Sequence, residues 1–252
     1  MPAKSNEIDV HRNLANKYRV ISEQKYFLEY QDYWNKMILE LSPKERGSFV
    51  LDCGCGIGRT LKALLSNYDN VFGIDLSCDM LDVACSQSEG IRVMACDAQN
   101  MAIKDDKFDM VICKGSLHHL REPQTAVKEI NRILKRGGVL AVSEPCRDNA
   151  FWRKAGSVYV RLSSNFSHDH GLFNSAALKD MLTKNGFIID KTRYLGFIAF
   201  PLCGLAYQFP IMNFMPFSHR LTKLLIRLDE FIMRVPFLNS FHWHAVIQCR
   251  KT

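Results

Sequence analysis

Three things are missing from this chain, and each absence narrows what it can be. Its nine cysteines include no Cys-x-x-Cys pair, which argues against a structural zinc site. They are odd in number and scattered over predicted buried strands and turns, so reduced thiols in a cytoplasmic setting are expected rather than a disulfide framework. The opening decapeptide MPAKSNEIDV has charges and no apolar core, so no signal peptide is expected. Charge is absent from Leu195 to Ser218, a stretch long enough for the ~20 residues of a membrane span. Pro201, Pro210 and Pro216 would each break the closed backbone ladder that lipid demands, so a spanning helix is not expected there. Repeats and low-complexity segments are also lacking.

With 252 residues and 47% hydrophobic content, the chain can bury one sizeable core, and one domain with insertions is expected. Its most informative segment is VLDCGCGIGRT, Val50 to Thr60. A short apolar run delivers Asp52 and then Gly54, Gly56 and Gly58, after which Thr60, Leu61, Leu64 and Leu65 recur at helical spacing. Strand, glycine turn and helix start together form a cradle: the glycines accept positive φ, and the helix aims unpaired N–H groups at the same place.

A dinucleotide fingerprint, Gly-x-Gly-x-x-Gly, would put its third glycine on Arg59, whereas it stands one residue early at Gly58. A phosphate loop needs Lys where Arg59 stands. What remains, Asp-x-Gly-x-Gly-x-Gly, resembles motif I of the class I S-adenosylmethionine-dependent methyltransferases, in particular their methyltransferase-domain (type 11) group that includes ubiquinone and menaquinone methyltransferases. Later residues continue the resemblance. Val71–Ile74 run into Asp75, placed like the acid that accepts from both ribose hydroxyls; Asp97 follows the next apolar run like the acid that meets the adenine amino group. Phe108–Cys113 and the Leu117-His118-His119-Leu120 turn resemble the fourth strand and its sequel. Departures are Cys53, where an aliphatic residue is usual, and Ile57, where a small or hydroxylated one is common.

The resemblance implies an α/β, Rossmann-like, doubly wound, seven-stranded and mostly parallel sheet with an antiparallel last strand. It also implies S-adenosyl-L-methionine held by Asp52, Gly54, Gly56, Gly58, Asp75 with Leu76, Asp97 with Ala98, Cys113 and, more loosely, Tyr18. Methyl transfer from a sulfonium needs alignment above all, and a base only where the acceptor is a hydroxyl or an acidic carbon. Candidate bases are His168 and His170, flanking Asp169 in a polar link, and Glu144 after the fifth strand; His118 and His119 fit packing or capping as well as catalysis. Lys114 could meet an acidic acceptor or solvent. His242 and His244 are expected to be structural and far from the methyl. The amino-methylating DNA enzymes carry Asn-Pro-Pro-Tyr or Asp-Pro-Pro-Tyr where this chain has Cys113-Lys114-Gly115-Ser116, so a small, apolar or amphipathic metabolite is the expected acceptor, by O- or C-methylation. The alternative is a non-catalytic binding protein that keeps the fold.

Residues 1–46 read as a helical cap, with Phe27, Tyr30, Trp34, Met37, Ile38 and Leu41 on one face; residues 47–252 read as the main domain. Within it, Gly137 and Gly138 are expected to stop the helix that follows Pro123, with the fifth strand starting at Val139. The link 146–174 reads as a substrate lid. An insertion over 195–240 separates the sixth strand from the last. It ends in a basic amphipathic helix: Leu221, Leu224, Leu225, Leu228, Phe231 and Ile232 form one face and Lys223, Arg227, Glu230 and Arg234 another. Beyond Asp190 there are eight basic residues (Lys191, Arg193, Arg220, Lys223, Arg227, Arg234, Arg250, Lys251) against Asp229 and Glu230, so most of the net charge of +7 is C-terminal. Two readings stay open: a cap packed on the core or a second subunit, and a cap over an apolar substrate that docks on an anionic membrane. Nucleic-acid binding is not expected, because the basic residues are not interleaved with aromatics. Oligomeric state is left open.

Overall fold

The computed structural model describes residues 23–40, 42–146, 148, 173–205, 210–235 and 237–252. Tyr18 and the link residues His168, Asp169 and His170 lie outside them. Seven strands form one sheet in the order β3-β2-β1-β4-β5-β7-β6. These are β1 (Phe49–Cys53), β2 (Asn70–Asp75), β3 (Val93–Ala95), β4 (Phe108–Lys114), β5 (Leu134–Pro145), β6 (Phe187–Leu195) and β7 (His244–Lys251). The first five pair in parallel, and β7 enters antiparallel between β5 and β6. Parallel strands covered on both faces need continuous apolar runs, and Val50, Leu51, Met110, Val111, Ile112, Leu140, Ala141 and Val142 supply them, all buried.

Helices α1 (Lys25–Leu39), α2 (Arg59–Leu65), α3 (Cys78–Gln87), α4 (Pro123–Ile133), α5 (Ser175–Lys184) and α6 (Ser218–Met233) cover the sheet. Their starts follow local chemistry. The Ser77 hydroxyl accepts from the Met80 N–H at 3.4 Å, the Asn174 Oδ1 accepts from Ala176 and Ala177 at 3.0 and 3.3 Å, and Pro123 sits in the first turn of α4. Helix α4 stops at Ile133, not at the glycines: Leu134 pairs with Phe108, and β5 carries Gly137 and Gly138 inside it, across a register shift between Phe108 and Met110. The Gly138 Cα explains their place, since a side chain there would meet the Lys135 carbonyl at 2.7 Å.

Helix α1 buries Tyr26, Phe27, Tyr30, Trp34, Met37 and Ile38, a stripe contributing about 1.5–3 kcal/mol for each large side chain. Three polar contacts fix where it lies. The Trp34 indole donates to Ser143 Oγ at 2.8 Å, the Gln248 amide donates to the Ile38 carbonyl at 2.7 Å, and Lys114 Nζ donates to Gln31 and Asn35 at 2.9 and 2.6 Å. The helix is thereby clipped to the C-terminal ends of β4 and β5.

Between β6 and β7 the chain forms a π-helical turn (Phe200–Gly204), two 3-10 turns (Pro210–Phe214 and Leu238–Phe241) and α6. Ala199, Phe200, Cys203, Met212 and Ile226 are buried there against α1, so part of this insertion is a core-packed cap. The apolar face of α6 is divided: Leu221 and Leu225 pack half-buried against the core beside buried Thr222, Ile226 and Asp229, while Leu224, Leu228 and Phe231 face out. The Asp229 carboxylate accepts the Ile198 and Ala199 N–H groups at 2.9 Å, which anchors the insertion through a buried acid.

Candidate functional site at the carboxyl end of the sheet

Strand order reverses between β1 and β4, and the crevice outside the carboxyl ends of strands at such a switch point is where open α/β sheets bind ligands. The glycine segment occupies it. Gly54, Gly56 and Gly58 have φ of 79°, 50° and 81°, a region that side-chain-bearing residues avoid. Two of the three are also sterically enclosed. A Cβ on Gly54 would stand 2.4 Å from Ser116 Cβ, and one on Gly58 2.9 Å from Ala84 Cβ. A Cβ on Gly56 would meet nothing within 4 Å, so that side of the backbone faces open space. Gly54 and Cys55 donate to the Ile74 carbonyl at 2.8 and 2.9 Å, and the Ser116 hydroxyl donates to the Cys53 carbonyl at 2.8 Å, so the loop is held by its neighbours without a ligand.

Asp75 closes β2 and spans the turn: Oδ2 accepts from the Gly56 N–H at 2.8 Å and Oδ1 from the Ser77 N–H at 2.9 Å. Each oxygen keeps a second lone pair to offer. Leu76 beside it is exposed. Asp97 follows β3 by two residues and accepts from the backbone and side chain of Gln99 at 3.0 and 3.1 Å, with Ala98 half-buried next to it. Asp52 is buried at the end of β1; burial pushes its carboxyl up to about 7, against the pull of Lys114 and with the push of Asp75. Cys113 is fully buried, and its thiol meets Cys53 in the core, so only its backbone can reach a ligand in the crevice. Cys53 and Cys113 thus explain each other, a pairing across β1 and β4 that spacing alone does not reveal.

Glu144 is not open to an acceptor. It has no exposed surface, its Oε1 accepts from the Ser116 and Leu117 N–H groups at 3.0 and 2.8 Å, and its Oε2 lies 2.6 Å from His118 Nδ1. The candidate base thus becomes the group that holds an imidazole, and His118, left between packing and catalysis by the sequence, becomes the residue it orients. Pairing Nδ1 with the carboxylate fixes the tautomer and makes Nε2 the ring's basic nitrogen.

Lys114 is half-buried rather than at an open mouth. Its ammonium lies 4.6 Å from the Trp34 ring, and burial draws it down to about 7, opposed by Asp52. His244 is also misplaced by the sequence reading. Because β7 runs antiparallel, its first residues arrive at the same end as the last residues of β5, and His244 pairs with Pro145, next to Glu144. Its ring packs edge-on to Trp34 and Phe200 at 4.6 and 4.3 Å, both of its nitrogens are buried without a hydrogen-bond partner among the described residues, and burial holds it well below its ordinary pKa. Tyr30 Oη, against the same Phe200, is likewise buried with no partner among the described residues. Cys146, Asp148 and His242 also converge, with ligand atoms within 4.8 Å of one another, a donor set that could hold a metal ion. Their engagements are internal: His242 Nε2 lies 2.8 Å from Asp148, which also accepts from Ser175, joining β5 and the segment before β7 to α5. Two segments almost a hundred residues apart supply this cluster, so cysteine spacing could not disclose it.

Residues 51–142 match the family model described as methyltransferase domain. A probable tRNA methyltransferase 9B of Bos taurus is 33% identical over 125 residues, 48% of this chain and 27% of that protein. A demethylmenaquinone methyltransferase of Staphylococcus aureus is 31% identical over 150 residues, 56% of this chain and 62% of that protein. The chain therefore spans about a quarter to three-fifths of the length of these relatives. Among solved structures, a Thermotoga maritima protein described as an S-adenosylmethionine-dependent methyltransferase, possible histamine N-methyltransferase, superposes with TM-score 0.65 at 19% identity, over 97% of this chain and 99% of that one. A Haemonchus contortus phosphoethanolamine N-methyltransferase 2 in complex with S-adenosyl-L-methionine gives 0.60 at 19% identity, over 87% and 52%. The fold is the one that these solved structures share. Within it, residues 51–142, from β1 to β5, are similar to the methyltransferase domain.

Proposed function

We propose that the protein is an S-adenosylmethionine-dependent methyltransferase acting on a small, apolar or amphipathic acceptor at oxygen or carbon. The observation that carries the donor assignment is the contrast within the glycine loop. Gly54 and Gly58 are closed off by protein, while Gly56 faces open space with its N–H on the Asp75 carboxylate. That is a cradle of the size and polarity for a ribose and the chain attached to it, and the residues present fit the group. Asp75 would accept from the ribose hydroxyls, Asp97 with Ala98 and Leu76 would flank the adenine, and the backbone from Gly54 to Gly58 would lie along the aminoacyl part. When bound, the donor supplies a sulfonium methyl already activated for in-line displacement.

His118 Nε2 takes the acceptor's proton, and Glu144 holds the ring and stabilises the imidazolium that forms. Tyr30, Trp34, Phe200 and His244 support an apolar acceptor with one polar handle: they gather aromatic surface around the orphaned His244 nitrogens and Tyr30 hydroxyl at the same end of the sheet. All nine cysteines are free thiols, in keeping with a reducing, cytoplasmic setting. Titration calorimetry with S-adenosylmethionine and S-adenosylhomocysteine tests the reading: binding of both is expected, and binding of neither overturns it. If both bind while no methyl reaches quinol, phenol or fatty-acyl acceptors, the non-catalytic alternative stands in its place.

A further inference from the structure

We infer that the outer face of α6 and the 3-10 turn before it form a docking surface for an anionic lipid bilayer, lying in the interface plane without crossing it. The inference stands apart from the methyltransferase reading, since no residue of this face belongs to the donor cradle or to the His118–Glu144 pair. Leu224, Leu228, Phe231 and Val235 recur at helical spacing and point away from the core, although Thr222 and Asp229 on the same helix point in. Phe214 is 85% exposed, Phe217 68%, Phe231 68% and Phe237 77%. Scattered exposed apolar side chains are ordinary; a single stretch from Ile211 to Phe237 that exposes four phenylalanines together with Ile211, Met215, Leu224, Leu228 and Val235 is not. Phe217 holds φ at 57°, a turn that a bulky residue rarely makes, and its ring stands outward at the start of α6.

Charge decides which partner the face fits. Arg220, Lys223, Arg227 and Arg234 are exposed on α6, and Glu230 is the exposed acid on it, because Asp229 is buried beneath. Basic side chains framing an outward aromatic and aliphatic stripe match a surface of negative headgroups over acyl chains. No helix among the described residues is long and apolar enough to cross a membrane, which agrees with contact in the plane of the surface. Position adds to the fit. Asn213 in the 3-10 turn accepts from Tyr26 Oη at 2.8 Å, and the adjacent Phe27 ring lies 5.2 Å from the Arg59 guanidinium, directly after the glycine loop. The aromatic tip therefore sits at the end of α1 nearest the cradle, where an amphipathic molecule leaving the bilayer would arrive.

Vesicle flotation of the full chain tests this, using phosphatidylcholine alone and phosphatidylcholine mixed with phosphatidylglycerol. Binding to the mixed vesicles is expected, weakened by salt. Phe214→Ser, Phe217→Ser and Phe231→Ser should each reduce it roughly tenfold, and Arg220→Gln and Arg227→Gln about fivefold each, with calorimetric donor affinity and thermal melting unchanged. Equal binding to both vesicle types, or binding to neither, overturns the inference. So does a concentration-dependent dimer in sedimentation analysis that the phenylalanine variants abolish, which would make this face a subunit interface. Retention of tRNA with no retention of vesicles would overturn it as well.

Discussion

The half of this molecule proposed to take the donor and the half proposed to receive the acceptor are held together by different parts of the chain. From β1 to β3 the site is made of backbone: positive-φ glycines, N–H groups and two carboxylates at strand ends. Beyond β4 it is made of side chains drawn from distant segments. His118 depends on Glu144, Lys114 on Gln31 and Asn35, and His244 on Trp34 and Phe200. Backbone geometry can be shared by proteins with very different acceptors, and the relatives fit that division. The Bos taurus and Staphylococcus aureus proteins are named for a tRNA and for demethylmenaquinone, yet both are similar to about half of this chain.

The strongest separation of the two halves is expected from His118→Ala. Turnover should fall roughly 10²–10⁴-fold, the range for loss of a general base, while S-adenosylmethionine affinity stays within twofold of wild type. A matched loss of donor binding would show that the halves are not separable. Glu144→Gln should follow it with a smaller fall in turnover, because the carboxylate positions the ring. Asp75→Ala should weaken donor binding roughly hundredfold or more, two charge-assisted contacts at about 1.5–3 kcal/mol each, read by calorimetry. Wild-type affinity in that variant would refute the ribose assignment.

Glycine replacements sharpen the contrast within the donor half. Gly54→Ala forces a Cβ to within 2.4 Å of Ser116 and should lower the melting temperature and donor affinity together. Gly56→Ala meets nothing, so beyond the cost of its positive φ, on the order of 1 kcal/mol, it should fold and lose donor binding alone. The smallest effect is in pH dependence. Asp52 holds its proton up to about 7 in the fold, against an ordinary value near 3.8. The stability this provides is fully present below about pH 4 and is lost as pH rises through 7. Lys114 runs the other way: its burial costs stability below about pH 7, and the cost fades as pH climbs toward 10.5. Urea melts should therefore show the wild type losing about 2–4 kcal/mol relative to Asp52→Asn between pH 4 and 7. A flat difference between the two proteins would place the carboxyl outside the buried pair.

The sequence made the donor half legible because strands and glycine turns repeat at short spacing: Asp52, Asp75 and Asp97 each follow an apolar run, and the family resemblance those motifs carry implied the seven-stranded sheet with an antiparallel last strand that is observed. Where local spacing misled, tertiary pairing was the cause. Gly137 and Gly138 look like a helix stop, yet they sit inside β5 because Leu134 already pairs with Phe108. Glu144 looks like a free acid until the turn at Ser116 folds over it. His244 looks remote until an antiparallel register sets it opposite Pro145. On α6 the spacing places six apolar residues on one face, and the fold divides them: Leu221 and Leu225 pack on the core, while Leu224, Leu228 and Phe231 stand out. Tyr18, His168 and His170 fall outside the described residues, so the loosest parts of the reading stay as sequence expectations.

The register at the mouth of the insertion has a practical meaning. Leu195 ends β6 and His244 begins β7 as paired partners, and the Trp243 N–H closes on the Leu195 carbonyl at 3.2 Å. Everything between them leaves and re-enters the sheet through one doorway, so a segment of other length or composition can be exchanged there without moving a strand. The natural splice points for a chimera are thus written in the hydrogen bonds. Trading what lies between them, with α1 matched to the new cap, is the route by which this scaffold would acquire a different acceptor while keeping its donor cradle.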